Sequence, residues 1–237
     1  MNLILFLKWI QKMKIELNYN PSLIDIFYNP NQIITLDANF LICSSRKTME
    51  FPFNKFVEIW LNPIFKAFPK LAIHQAVYEE LVSINSKSYI DSQTDLIIHE
   101  DDSLNNTERR LRNIIEEKIA INTQYIIEED NKSDRGEVKS LAFIAVKDYL
   151  YFASNDYNAI TLVENCVELE TGLDNIRAIK MYELIYYLYK KKLSDSKGLR
   201  MLYKYQYYLT KREKSMNPNW GEFTSQMDVV YDKSFNQ

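Results

Sequence analysis

The segment Ser133–Asp156 reads SDRGEVKSLAFIAVKDYLYFASND. It opens with an acid, a glycine and a second acid, and the apolar stretch Glu137–Lys147 then predicts a helix. The short apolar run Tyr149–Ser154 predicts a buried strand, after which the segment stops on Ser-Asn-Asp. The segment therefore places carboxylates at the start of a helix and again at the end of the strand that follows.

Apolar runs elsewhere predict a second strand and further helices. The strand lies within Gln32–Ile42 and ends at Asp37. The segments with helical spacing are Asn54–Phe68 with a break at Pro63, Leu71–Ile84, Ser103–Thr123 with a cap at Asn106 or Thr107, Asp156–Cys166, Leu173–Lys192 and Leu199–Lys214. The tail after Pro218 is predicted to be irregular.

Strands that alternate with helices predict an α/β fold, here a three-layer sandwich with a central, mostly parallel sheet and a C-terminal helical extension. We expect a helical segment at 1–30 packed on the core, the α/β domain at 31–172, and a basic, tyrosine-rich extension at 173–237. The N-terminal stretch MNLILFLKWIQKMK predicts an amphipathic helix that is too short to span a membrane. A membrane-surface anchor is its alternative.

The composition excludes several kinds of site. Only four of the 237 residues are glycine, whereas glycine makes up about 7% of the residues in an average protein. The sequence also contains no dinucleotide-binding or P-loop glycine motif. Cys43 and Cys166 are too few for a disulfide framework or a zinc site, so they predict free thiols in a reducing cytoplasm. The only histidines, His74 and His99, have no neighbours that suggest a catalytic triad.

The net charge of −3 conceals two regions of opposite sign. Asp91–Asp130 contains eleven acids and four bases, whereas Lys180–Lys214 contains ten bases and three acids. The basic region predicts binding to a polyanion, or contact with the acidic region within one chain or in a homodimer.

Carboxylates beside strongly apolar segments are the main candidates for chemistry. Asp37 and Asp156 each follow a predicted strand, and the carboxyl ends of parallel strands share one edge of a sheet. Asp134 and Glu137 are three residues apart and lie on one helix face. Asp37 directly follows an apolar run near the core, where a carboxylate needs a partner or a metal.

The other acids have structural alternatives. Asp134 and Glu137 also fit a capping box, and Asp156 would cap the helix that follows it. One of Glu79 and Glu80, in the middle of a predicted helix, would be a solvated surface charge. Together, however, converging carboxylates favour Mg²⁺ or Mn²⁺, which prefer oxygen ligands. Such an ion activates water and stabilises charge on a phosphodiester without histidine or cysteine.

Four segments resemble, in order, the motifs of the PIN domain family of metal-dependent nucleases, which have a parallel sheet between helices. ITLDANFLI (Ile34–Ile42) is similar to the opening strand with Asp-x-Asn, and AVYEELV (Ala76–Val82) to the helix with the second acid. DRGEVKSLAFIAV (Asp134–Val146) resembles the D-x-G-E form of the third motif, and YFASND (Tyr151–Asp156) the last motif. The resemblance covers roughly Ile33–Val167.

The resemblance implies a role for each matching residue. It implies Asp37, Glu80, Glu137 and Asp156 as catalytic acids and metal ligands, Asp134 as an accessory metal ligand, and Asn39 and Ser154 as supporting residues. Glu80 is preferred to Glu79 because an apolar residue follows it directly.

The activity implied by this resemblance is endoribonuclease cleavage with Mg²⁺ or Mn²⁺. Many PIN proteins of this size are toxins of toxin–antitoxin pairs, which would make a small antitoxin a partner. The long acidic segment before the third motif and the basic extension depart from a minimal PIN domain. A catalytically inactive PIN-like module that binds nucleic acid or protein is the alternative. An aspartyl-phosphate phosphatase is disfavoured because position 39 is Asn instead of a second acid.

The basic extension interleaves tyrosines with lysines and arginines. In one interpretation its bases bind RNA phosphates while nucleobases stack on the tyrosines. The proposed phosphate contacts are Lys190, Lys191, Lys192, Arg200, Lys204, Lys211 and Arg212. In the alternative, the tyrosines pack on the core and the lysines face water.

Overall fold

A five-stranded parallel sheet lies at the centre of the protein. The structure is a computed structural model that describes residues 14–43 and 50–235. The strands are β1 Ile34–Leu36, β2 Leu71–His74, β3 Ile97–His99, β4 Tyr151–Ser154 and β5 Arg177–Lys180. They are ordered β3-β2-β1-β4-β5, and every neighbouring pair is parallel. The predicted parallel α/β architecture with C-terminal helices is confirmed.

Helices cover both faces of the sheet. They are α1 Pro21–Tyr28, α2 Phe53–Phe56, α3 Asn62–Ala67, α4 Gln75–Glu80, α5 Ile84–Asp91, α6 Asn106–Ala120, α7 Arg135–Val146, α8 Tyr157–Glu164, α9 Met181–Lys190, α10 Ser196–Tyr207, α11 Lys211–Met216 and α12 Trp220–Phe235. Successive strand residues point to opposite faces. Tyr151 and Ala153 accordingly pack in one hydrophobic cluster with α1, α3 and α9, while Phe152 packs in a second with α6, α7 and α8.

Two predicted helices begin with strands instead. Leu71–His74 is β2, so the helix predicted from Leu71 begins only at Gln75. Arg177–Lys180 is β5, which pairs with β4 and precedes α9. Leu71–His74 is short, apolar and buried, and Arg177–Lys180 is short and buried except at Arg177. Periodicity alone cannot distinguish runs this short from parts of a buried helix. The predicted domain boundary after residue 172 therefore cuts through the sheet.

Pro63 does not break the helix that the sequence predicts over Asn54–Phe68. A π-helical turn, Val57–Leu61, joins α2 to α3, and Pro63 occupies the first turn of α3. Proline has no N–H to donate to the carbonyl four residues earlier, at Ile59. The Ser194 hydroxyl donates to that carbonyl instead, at 2.7 Å. The segment before α10 thus satisfies a polar group that the proline leaves without its helical partner.

The two ends of the described chain pack on the core. α1 buries Leu23 and Ile26. The amphipathic helix predicted at the N-terminus covers residues 1–14, of which all but Lys14 lie outside the described part. The tail after Pro218 is not irregular, because α12 begins at Trp220 and buries Phe223.

Two smaller findings concern α6 and membrane spanning. α6 is capped by Asn105, one residue before the predicted position, because its side chain accepts hydrogen bonds from the N–H groups of Thr107 and Glu108. Among the described residues, no helix combines the length and the apolar character needed to cross a membrane.

The close approach of α10 to the π-helical turn predicts a stability change. A Cβ on Gly198 would lie 2.7 Å from Cγ1 of the buried Ile59 side chain. Overpacking of this kind costs about 1–3 kcal/mol. We expect Gly198→Ala to lower the free energy of unfolding by that amount in urea denaturation.

Gly221→Ala is the matched control for Gly198→Ala. Gly221 also lies in the first turn of a helix, but its nearest neighbour atom, Asn219 Oδ1, would be 3.4 Å from the new Cβ. Its free energy of unfolding should change by less than about 0.5 kcal/mol. Equal values for the two variants would contradict tight packing at Gly198.

Candidate acidic site

Asp37 follows β1 at the point where the strand order reverses between β1 and β4. Its side chain is buried, with 1% exposed. Oδ1 accepts a hydrogen bond from the Ala38 N–H at 2.6 Å, and Oδ2 accepts from the Asn39 amide and the Ser154 hydroxyl, each at 2.5 Å. Both predicted supporting residues therefore contact the Asp37 carboxylate directly.

The loop after β4 is fixed to the same residues. The Asn155 N–H donates to Asn39 Oδ1 at 2.8 Å, and the Asp156 N–H donates to Ser154 Oγ at 2.9 Å. Asp156 Oδ1 accepts from the N–H of Asn158 at 2.7 Å and so caps α8. The predicted capping role of Asp156 is thus correct. The same carboxylate also lies at the switch point of the sheet, between β1 and β4.

Glu80 lies at the end of α4 and reaches the first turn of α7. Its Oε1 accepts from the Gly136 N–H at 2.7 Å, and a Cβ on Gly136 would lie 2.7 Å from Oε2. Only glycine admits the carboxylate at this distance. Glu79 turns the other way and pairs with Arg135 at 2.8 Å. Of the two neighbouring glutamates, Glu80 is the one that lies with the other acids.

The acids of this site influence one another electrostatically. Burial raises the pKa of Asp37 to about 7, and the charges of Asp156 and Glu80 act in the same direction. Burial raises the pKa of Glu137 well above its usual value, with further contributions from Asp37, Asp156 and Glu80. Burial also raises the pKa values of Glu80 and Asp156. We call Asp37, Glu80, Glu137 and Asp156 the acidic site.

Basic side chains do not neutralise the acidic site. Within residues 14–43 and 50–235, none of its four carboxylates forms an ion pair with lysine or arginine, although nearby Arg135 lowers the pKa of Glu80. Arg135 is itself paired with Glu79 and Asp130. Among the described residues, the acidic site is therefore a group of carboxyls without basic partners.

Asp134 does not act as predicted by the capping-box alternative. It has a left-handed backbone conformation, with φ of 56°, and its side chain does not cap α7. Its Oδ2 instead accepts from the Gln124 N–H at 2.9 Å, which braces the preceding loop. The charge of Asp134 adds to the raised pKa of Asp156, so the residue lies near the site. Its accessory role toward a metal stays a prediction.

The donor chemistry of the acidic site suits a hard cation, because all the candidate ligands are carboxylate oxygens without basic partners. The described residues nevertheless contain no group of three or more His, Cys, Asp or Glu side chains arranged to hold one ion. Mg²⁺ retains several waters and commonly uses only one or two protein carboxylates. The arrangement of these carboxylates is therefore compatible with an ion that keeps several water ligands. It is not compatible with an ion ligated by protein side chains alone.

The sequence interpretation missed one residue that supports the site. Tyr207, at the end of α10, is buried, and its hydroxyl donates to Asn155 Oδ1 at 2.5 Å. The Asn217 amide in turn donates to the carbonyl of Tyr207 at 2.9 Å. The C-terminal helices therefore hold the loop that carries Asp156. No sequence signal identifies this contact, because its partners are 52 residues apart.

The tyrosines of the basic extension pack on the core. Those that are buried are Tyr182, Tyr186, Tyr187, Tyr203, Tyr205 and Tyr207. Stacking of nucleobases on these six rings is therefore excluded in this conformation, and the packing alternative is correct for them. Tyr189 and Tyr208 are partly exposed.

The basic residues of the extension fall into two groups. Exposed on the surface are Lys191, Lys192, Arg200, Lys204, Lys211 and Arg212. Lys190 instead pairs with Asp228 at 2.7 Å, and within the exposed group Lys191 Nζ lies 3.5 Å from the centre of the Phe27 ring. The exposed group remains available as candidate phosphate contacts.

Comparisons with family models, curated proteins and solved structures find no match for this chain.

The raised pKa of Asp37 predicts how stability depends on pH. Between about pH 4 and about pH 7 the folded protein binds more protons at Asp37 than the unfolded chain does, so this carboxyl destabilises the fold progressively as pH rises through that window. Asn does not titrate. We expect the stability of Asp37→Asn relative to wild type to rise by up to about 1.4 kcal/mol per pH unit between pH 5.5 and 7.

This comparison requires urea denaturation at several pH values in EDTA. Asp95→Asn is the control, because Asp95 is exposed and lies outside the acidic site. A difference for Asp37→Asn that is independent of pH would contradict a raised pKa.

The contact between Tyr207 and Asn155 predicts local protection of the loop after β4. Tyr207→Phe removes one hydrogen bond, and we expect the N–H groups of Asn155 and Asp156 to exchange with deuterium about tenfold faster. Tyr203→Phe is the matched control, because Tyr203 lies in the same helix but donates to the Pro218 carbonyl. Equal exchange in the two variants would show that Tyr207 does not hold this loop.

Proposed function

We propose that the protein is a divalent-metal-dependent endoribonuclease that acts at the acidic site. The observation that carries this proposal is the collection of four carboxylates, without ion pairs among the described residues, beside the β1/β4 switch point of a parallel sheet. Buried acids without a basic partner destabilise a fold unless a bound cation offsets their charge. Groups of such acids are found mainly at functional sites. The resemblance of four motifs to the PIN family supports the same conclusion.

Mg²⁺ or Mn²⁺ held by these carboxylates would supply a water nucleophile and offset the charge of the phosphodiester. The chain's own residues prepare the site. Asn39 and Ser154 orient the Asp37 carboxylate, and the Gly136 N–H orients Glu80. Glu137 lies beside Gly136 on α7, and its burial, with the charges of Asp37, Asp156 and Glu80, raises its pKa, so it holds a proton more readily than an exposed glutamate.

The exposed bases supply the RNA contacts in this proposal. Tyr207 brings the end of α10 to the loop of Asp156, and Lys204 and Lys211 are exposed within four residues of Tyr207. Bases at this place would bind the phosphates that flank the scissile one. An antitoxin partner, a homodimer and a cytoplasmic location stay predictions that follow from the family resemblance and the composition.

A nuclease assay with matched variants tests the proposal. Purified protein is incubated with single-stranded RNA and with tRNA in Mn²⁺, in Mg²⁺ and in EDTA. We expect cleavage only with a divalent ion, and a loss of at least about 100-fold in Asp37→Asn and in Glu137→Gln, because each removes a charge that the site requires. Asp95→Asn should cleave like wild type.

Full activity of Asp37→Asn, or cleavage that persists in EDTA, would contradict the assignment. RNA that shifts in a gel without being cut, equally in EDTA and Mn²⁺, would favour the catalytically inactive binding module instead.

A further inference from the structure

A polar cleft opens beside the acidic site at the same edge of the sheet. Its volume is about 360 Å³, and its lining includes His74, Glu79, Asp101, Arg135 and Lys139. This volume lies within the range of pockets that bind small molecules. His74 ends β2, and Asp101 follows β3, so the polar cleft lies beyond the carboxyl ends of these two strands.

Residues that are adjacent in the sequence belong to different sites, one to the polar cleft and the next to the acidic site. Glu79 lines the cleft, while Glu80 belongs to the acidic site. Arg135 lines the cleft, while the next residue, Gly136, binds Glu80. The two sites therefore share α4 and α7 as a common wall. A polymer with one unit at the acidic site would place a neighbouring unit at the polar cleft.

The polar groups of the cleft are held in place before any ligand binds. Arg135 pairs with Glu79 at 2.8 Å, and Lys139, one turn further along α7, pairs with Asp130 at 3.1 Å. His74 Nδ1 accepts from the Ala76 N–H at 3.1 Å, so the ring hydrogen is on Nε2, which faces Asp101 Oδ1 at 3.4 Å. Preorganised donors and acceptors of this kind recognise a ligand by the pattern of its hydrogen bonds.

The charges of the lining decide between a phosphate and a base. Four of the lining residues are acids, Glu79, Glu100, Asp101 and Asp102, and two are cations. Outside the lining, Arg112 pairs with Asp101 at 2.9 Å and Arg109 with Asp102 at 3.6 Å. Both cations of the lining are already paired with protein acids. A phosphate group would be repelled here, whereas a neutral group with N–H donors for the carboxylates and acceptors for Arg135 or Lys139 would be favoured.

We propose that the polar cleft binds guanine, as the subsite for the nucleotide next to the scissile phosphate. Guanine offers N–H donors at N1 and N2 for Glu79 or Asp101, and acceptors at O6 and N7 for Arg135 or Lys139. Adenine presents an amino donor where guanine has O6, and uracil has no amino group. The role as a substrate subsite rests on the proposed nuclease function, whereas binding of the base by itself does not.

Binding of single nucleotides tests the proposal without cleavage. The full chain is titrated with GMP, AMP, CMP and UMP in EDTA by isothermal calorimetry. We expect GMP to bind at least tenfold more tightly than the other three. Lys139→Met should weaken GMP binding at least fivefold, because it removes the donors of Lys139 while keeping a side chain of similar shape. Glu79→Gln should reduce the preference for GMP over AMP.

Lys147→Met is the matched control for Lys139→Met. Lys139 lies on α7 and Lys147 directly follows it, and both pair with an acid, but Lys147 pairs with Glu108 at 3.0 Å and does not line the cleft. It should bind GMP like wild type. Equal binding of the four nucleotides, no detectable binding, or equal effects of the two lysine variants would overturn the guanine site.

Mapping of cleavage positions separates this inference from the proposed function. Cuts confined to one side of guanosine, with the preference reduced in Lys139→Met, support the subsite. Cleavage of RNA without base preference would overturn the subsite and leave the nuclease intact. Selective GMP binding by a chain that cuts no RNA would overturn the nuclease and with it the subsite role, while leaving the guanine site.

Discussion

The burial of the Asp37 carboxylate is the constraint on which the candidate site depends. Asp37 directly follows β1, which lies between β2 and β4, and its carboxylate accepts hydrogen bonds from a backbone N–H, an amide and a hydroxyl. An ionised carboxylate in such a place is costly to maintain. The chain nevertheless adds Glu80, Glu137 and Asp156 around it instead of a basic partner. A structure selected for stability alone would neutralise this charge, so the arrangement points to chemistry.

The C-terminal helices belong to the core and to the site. α9 follows β5 directly and buries every residue from Met181 to Leu188. The Ser194 hydroxyl binds the carbonyl that Pro63 leaves without a helical donor, and Tyr207 holds the loop that contains Asn155. Support for the acidic site therefore comes from residues far along the chain, and loss of these helices would release both the core and the site.

Charges at the carboxyl edge of the sheet are arranged in two contrasting ways. Around the polar cleft, Arg135 and Lys139 each form ion pairs, with Glu79 and Asp130 among their partners. In the acidic site, such pairing is absent among the described residues. Successive side chains on a helix point about 100° apart, so two adjacent residues on α4, or on α7, reach different sites. One pair of helices thus lies between a cleft with ion pairs and an acidic site that has none among the described residues.

The sequence by itself determined the class of the fold and the acids of the site. The apolar runs before Asp37 and Asp156 identified β1 and β4, and the pattern after Asp134 identified α7, because polar residues mark where each run ends. Only the tertiary structure decided that Leu71–His74 and Arg177–Lys180 are strands, since pairing with β1 and β4 is a long-range interaction. It also gave Glu80 and Glu79 different partners, in line with the sequence preference for Glu80, and it linked Tyr207 to Asn155. Helix rotation and contacts between distant segments leave no local signal, whereas burial and chain reversal do.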